Sequence, residues 1–178
     1  IIEEYQRNYR NDVIIYSPKY LISRKKNKNY KTDTLELYWT MTSGNILNLE
    51  LYEKVGEFRE EFFIDGVDYE YCLKARKKGY KILQCNKAEL VHNPGIEKTK
   101  KILFFNYKYG YMSKIRLYYQ VRNLSQIAKE YKSFKSIIII CIKLAKIILL
   151  FDNKKEYLKF FRKARIDYKN KKFGKIED

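Results

Sequence analysis

The stretch FFIDGVDYEYCLKARKKGYKI, Phe62 to Ile82, decides how the chain is read. Three carboxylates, Asp65, Asp68 and Glu70, follow an apolar Phe-Phe-Ile, and a basic run from Lys74 to Lys78 precedes Gly79. Acids first, bases last and a closing glycine predict a helix over about Val67–Lys77. Asp65 falls where an N-cap belongs and Asp68 at the third helical position, a capping box with Asp in place of Glu. A second reading makes Asp68 a general base. A carboxylate at a helix N-terminus stays ionised and can accept a proton from a sugar hydroxyl. The two are compatible, with Asp65 capping and Asp68 reacting. Glu70 and Lys74, four residues apart, read as a solvated ion pair.

Outward from this stretch, strands and helices alternate. Ile1–Tyr9 reads as the end of a helix, and VIIYSP (Val13–Pro18) as a short buried strand stopped by proline. Ser23–Thr32 is a polar, lysine-rich surface loop. LELYWTM (Leu35–Met41) reads as a strand turned by Ser43-Gly44. Asn48 caps a helix that runs through Lys54 to Gly56. YKILQC (Tyr80–Cys85) and AELVH (Ala88–His92) read as two further strands. This alternation predicts an α/β layer. After Pro94-Gly95 come helical patterns: Ser113–Tyr131, the apolar IIIICIKLAKIILLF (Ile137–Phe151), and a basic helix over Lys154–Lys175. The apolar run is too short to span a bilayer, which takes ~20 apolar residues.

The chain has 178 residues, of which 46% are hydrophobic and 16% aromatic. That is enough for a folded domain with a real core. Lys and Arg number 38 against 21 Asp and Glu, a net charge of +17. Such a balance predicts an anionic partner, although an AT-rich genome also enriches lysine. No nucleic-acid-binding motif is present, so nucleic acid is not expected as the partner. Cys72, Cys85 and Cys141 are odd in number and widely spaced, which supports neither a disulfide framework nor a zinc site. A reducing compartment follows.

Outside the acidic stretch, several residues carry both a structural and a chemical reading. His92, the one histidine, ends a strand just before Asn93-Pro94-Gly95. It is either structural or a ligand for a metal or a phosphate oxygen. Arg116, Tyr119 and Arg122 recur at helical spacing in KIRLYYQVRN (Lys114–Asn123), as an amphipathic face or as a pyrophosphate clamp. Trp39, the one tryptophan, either packs in the core or stacks on a sugar ring.

These pieces, in this order, resemble family 2 glycosyltransferases of the GT-A fold, most closely the rhamnosyltransferase-like branch. TSGNILNLELYEKVGEFREEFFIDGVDYEYCLKARKKGYKI (Thr42–Ile82), VHNPG, RLYYQVRN and the tail FRKARIDYKNKKFGK carry the resemblance, which covers nearly the whole chain. It implies a partial GT-A (Rossmann-like) acceptor-side half over residues 1–112 and a basic helical extension over 113–178. It implies inverting transfer of a sugar, such as rhamnose, from a nucleotide-sugar donor to a glycan or lipid-linked acceptor in surface polysaccharide synthesis. Asp68 matches the catalytic base. Ser43 and Gly44 match the turn bordering the acceptor pocket, with Asp65 beside it and Trp39 as the sugar-stacking candidate. Arg116, Tyr118, Tyr119 and Arg122 match a motif near the donor diphosphate. His92 matches a histidine that reaches the metal–diphosphate, the metal being a divalent cation, Mg or Mn.

The sequence departs from the family's pattern at Tyr71 (often Trp), Lys74 (often Arg) and Arg59 (often Asp). The nucleotide-binding strands and an Asp-x-Asp metal site are expected before Ile1, so the chain reads as a fragment, inactive alone. The resemblance and the cationic, apolar tail together imply a cytoplasmic protein peripheral on the inner face of the cell membrane, while Ile137–Phe151 reads equally as a helix packed on the GT-A body or against a second subunit. The rival reading is a non-catalytic basic membrane- or polyanion-binding remnant of such an enzyme.

Overall fold

A computed structural model describes residues 1–22, 30–92, 95–102 and 104–176. Most of the predicted loop Ser23–Thr32, and the Asn93-Pro94 part of the turn after His92, lie outside the described residues. The fold is mixed α/β, consistent with part of a Rossmann-like domain. Its described elements are a mixed four-stranded sheet, a two-stranded sheet and six α-helices. The chain divides into two compact units: residues 1–58 with 68–94, and residues 59–67 with 95–178. The division differs from the boundary at 112/113 expected from sequence, because 59–67 and 95–112 group with the C-terminal helices.

In the first unit, β1 (Val13–Ile22) and β4 (Lys81–His92) run parallel at the centre of a sheet ordered β2-β4-β1-β3. The short strands β2 (Thr34–Glu36) and β3 (Ile46–Leu47) flank them antiparallel. Helices α1 (Ile2–Arg7), α2 (Leu49–Val55) and α3 (Val67–Lys77) complete the unit. One apolar cluster joins Ile14 and Ile15 of β1 to Leu51 and Val55 of α2, and to Tyr71, Cys72 and Ala75 of α3. A second gathers Val13, Tyr16, Leu83, Cys85 and Ala88. The Asn48 side chain accepts from the Leu51 N–H at 3.2 Å, and Gly56 closes α2 at φ 90°, as the sequence predicts.

Two strand readings change. Proline does not stop β1, which continues through Pro18 to Ile22. YKILQC and AELVH are one strand, not two. The reason is a register shift: Pro18 pairs with Cys85, but Lys19 pairs with Glu89. The extra β4 residues bulge where the proline has no N–H to offer. LELYWTM is a strand only at its start, because β2 ends at Glu36.

The second unit is helical except for a hairpin that the sequence does not announce, β5 (Glu97–Ile102) with β6 (Phe105–Gly110). Its helices are α4 (Lys114–Glu130), α5 (Phe134–Leu150) and α6 (Lys154–Lys169), and α4 packs on both others. Ser113 and Ser133 cap α4 and α5 through their side chains. Leu117, Val121, Leu124 and Ile127 of α4 are buried, as are Ile140 and Ile147 of α5 and Tyr157 and Ala164 of α6. No helix among the described residues is long and apolar enough to cross a membrane.

Candidate functional site

In the first unit, one stripe of α3 holds the irregular segment that follows β2. Arg76 donates to the Leu37 carbonyl at 3.1 Å and to the Glu36 carboxylate. Four residues back, the Cys72 thiol faces the Thr40 carbonyl at 3.9 Å, and burial pushes that thiol up to about 11. Four further back, the Asp68 carboxylate accepts from the Thr42 N–H at 3.2 Å. The i, i+4, i+8 spacing of a helix therefore lays residues 36–42 along α3, with Asp68 at the end reached last. Asp68 is half-buried, while Thr42, Ser43 and Gly44 are exposed. A partly solvated carboxylate thus stands beside an open turn.

That turn is fixed from β1. The Tyr20 hydroxyl lies within hydrogen-bond distance of the carbonyls of Met41 (3.0 Å) and Ser43 (2.7 Å) and of the Asn45 side chain (3.1 Å). Gly44 has φ +71°, and a Cβ there would sit 3.0 Å from Leu90 Cδ2, so the turn needs glycine. The His92 ring lies 6.0 Å from the Tyr20 ring, edge to face. Tyr20 and His92 lie towards the carboxyl ends of the parallel strands β1 and β4, where α/β sheets collect ligands. Trp39 is 41% exposed and meets Tyr69, the residue after Asp68, edge to face at 5.8 Å. Solvent reaches its ring, so core packing is not its role.

The capping reading of Asp65 gives way to another geometry. The helix starts at Val67, and Asp65 itself has φ +62°. Its carboxylate accepts two bonds from Arg116, at 2.7 and 3.0 Å, and one from Gln120 at 3.1 Å. A fork on a carboxylate is a strong pairing, and it raises Arg116 above the usual arginine value. Lys143 of α5 donates to the Gln120 side-chain amide oxygen, Oε1. Burial pushes that lysine down to about 8. Asp65, Gln120, Arg116 and Lys143 thus form one polar network in the second unit. Glu70 is not solvated either: it is fully buried, and Lys74 instead donates to the Glu57 carbonyl and lies over the Tyr71 ring.

Of the four residues expected near a donor diphosphate, only Arg116 is exposed. Arg122 is fully buried among the rings of Tyr118, Tyr119 and Phe173. Its guanidinium donates to the carbonyls of Gly174 (2.8 Å), Phe62 (3.2 Å) and Glu61 (3.4 Å), and to the Asn123 side chain. Tyr118 donates to Asp167 at 2.8 Å, and burial, with that bond second, pushes it up to about 12. The Tyr119 hydroxyl accepts from the Ile176 N–H. Asn123, which the sequence did not single out, donates to the carbonyls of Phe62, Ile64 and Asp65 at 2.7–3.0 Å. Arg122 and Asn123 therefore grip residues 61–65, and their hydrogen-bonding capacity serves the fold. The same holds for Arg59, which forks onto Glu130 at 2.7 and 2.8 Å.

Among the described residues, no three His, Cys, Asp or Glu side chains come together as a metal site. His92 can offer a divalent cation one ligand, and the other described residues do not complete a site around it.

A half-buried carboxylate beside an exposed glycine turn, with the exposed Trp39 indole against the ring of Tyr69, brings a proton acceptor and an aromatic face into one neighbourhood. The chain is similar to the dTDP-rhamnosyl transferase RfbF of Shigella flexneri, with 32% identity over 133 residues. The match covers 72% of this chain and 44% of that protein, so the chain spans less than half of the curated relative's length. No protein-family model matches the chain, and no solved structure matches it significantly. The similarity supports a relationship to glycosyltransferases.

Proposed function

We propose that this chain is the acceptor-side part of an inverting glycosyltransferase of family 2 and GT-A type, with rhamnose as the leading candidate for the transferred sugar. The observation that carries the reading is the placement of Asp68, a half-buried carboxylate oriented by the Thr42 N–H against the open Thr42–Gly44 turn. The similarity to a dTDP-rhamnosyl transferase supports the choice of chemistry.

In this reading the acceptor hydroxyl lies on the turn, with the Trp39 ring against the C–H face of its sugar. Asp68 takes the hydroxyl proton as the oxygen attacks the anomeric carbon. The new glycosidic C–O bond forms as the bond to the diphosphate oxygen breaks, and the nucleoside diphosphate leaves with that electron pair. Attack from the face opposite the leaving group inverts the centre. Arg116 is the one exposed member of the expected phosphate motif, but Asp65 already holds it, so a donor phosphate would have to compete with that fork. The acceptor in this reading is a glycan or a lipid-linked sugar.

Trp39 is the chain's one tryptophan, so its emission reports the proposed acceptor site directly. Titration with rhamnose-containing oligosaccharides is expected to change that emission saturably, and Gly44→Val to abolish the change. An unchanged spectrum up to the solubility limit of the glycans would remove the acceptor assignment.

A further inference from the structure

The hairpin β5–β6 carries a surface that nothing in the transferase reading uses. Its register puts Lys100, Phe105, Tyr107 and Tyr109 on one face and Thr99, Lys101, Asn106 and Lys108 on the other. The base of the first face is anchored: Tyr109 is buried and stacks with Phe151, and its hydroxyl and the Lys100 ammonium both donate to the Leu150 carbonyl at the end of α5. Beyond that anchor the described aromatic residues are exposed. Phe105 is 76% exposed, and Phe104 at the turn is 91% exposed. A two-stranded ribbon is at best marginal alone, and aromatic side chains so exposed add cost in water without a partner.

The same unit has a second apolar surface. Helix α5 buries Ile140 and Ile147, while Phe134, Ile137, Ile138, Ile142, Ile148 and Leu149 are exposed. Its last turn is the one to which the hairpin is anchored.

Charge chooses among the occupants. Between residues 95 and 178, Lys and Arg outnumber Asp and Glu about three to one, so most of the net charge of +17 lies there. Two such surfaces repel each other, whereas an anionic surface attracts them. Exposed aromatics at a tip, with Lys101 and Lys108 on the opposite face of the ribbon, match the chemistry of a membrane interface: rings sit at headgroup depth and ammonium groups meet phosphates. We propose that this unit docks on an anionic lipid surface through the aromatic end of the hairpin, with the exposed side of α5 as a second contact. The proposal stands independently of the transferase reading.

The test uses the full chain and vesicles of phosphatidylcholine, with and without phosphatidylglycerol. Flotation is expected only with the anionic vesicles, and Phe104→Ser with Phe105→Ser is expected to weaken partitioning roughly tenfold or more. Lys101→Glu with Lys108→Glu is expected to weaken it and flatten its salt dependence. In Phe104→Trp, emission at the tip is expected to shift blue on anionic vesicles and to be quenched by brominated lipid chains. All these positions are exposed, so the variants retain the fold. Flotation unchanged by the phenylalanine pair, or an indole at 104 that brominated lipid leaves unquenched, overturns the proposal. So does a chain that dimerises through these residues and does not float, which would make a second copy the occupant.

Discussion

At the scale of single residues, the arginines of the RLYYQVRN motif part company. Arg116 keeps an exposed fork on Asp65, while Arg122 is enclosed and spends its donors on backbone carbonyls. Sequence spacing cannot separate them, because a helix repeats both faces every few residues and the burying partners, Phe173 and the 61–65 segment, come from distant parts of the chain. Arg122→Met leaves several buried carbonyls without donors, so a loss of about 3 kcal/mol or more in unfolding free energy is expected by chemical denaturation. Lys143 makes a pH prediction. Its folded-state value, about 8, lies below the 10.5 of an unfolded lysine, so between these pH values the unfolded chain binds more protons. Stability relative to Lys143→Met should therefore rise from pH 8 to 10.5, by up to ~3 kcal/mol, and stay flat below pH 7. Denaturant melts of both proteins across that range check it.

At the scale of elements, α2 and α3 were legible because their signals are local: Asn48 and Gly56 bracket one, and the acid-to-base gradient and Gly79 mark the other. The single long β4 was not, since the bulge opposite Pro18 breaks the alternation that would identify it. The hairpin β5–β6 was missed for a related reason: its lysines and exposed aromatics do not read as a half-buried strand. In the first unit the sequence names Asp68, Ser43, Gly44 and Trp39 by type and spacing, but Tyr20, which holds the turn, acts only through tertiary contacts. In the second unit the same is true of Gln120, Asn123 and Lys143. The α3 stripe of Asp68, Cys72 and Arg76 joins the two levels, because helical spacing fixes where the 36–42 segment runs. Arg76→Ala should release one end of that segment. Faster amide hydrogen exchange confined to residues 36–42 is expected, and unchanged exchange there would show that Asp68 and Cys72 hold it unaided.

At the scale of the whole molecule, sequence predicts an α/β part over 1–112 and a basic helical part over 113–178, whereas the compact units group residues 59–67 and 95–112 with the C-terminal helices. The 59–67 segment is held by Asn123 of α4 within the second unit. Because the chain spans 44% of the RfbF length, transfer is best measured in the longest natural chain that carries these residues. The most direct measurement is the rate of sugar transfer from a nucleotide-rhamnose donor at saturating acceptor, comparing the native protein with Asp68→Asn. Asparagine keeps the shape and can still accept the Thr42 N–H, but it cannot take the acceptor proton. A rate lower by roughly 10²–10⁴-fold, with acceptor binding at Trp39 retained, is the expected result. Transfer within a few-fold of the native rate would contradict the assignment of Asp68 as the base.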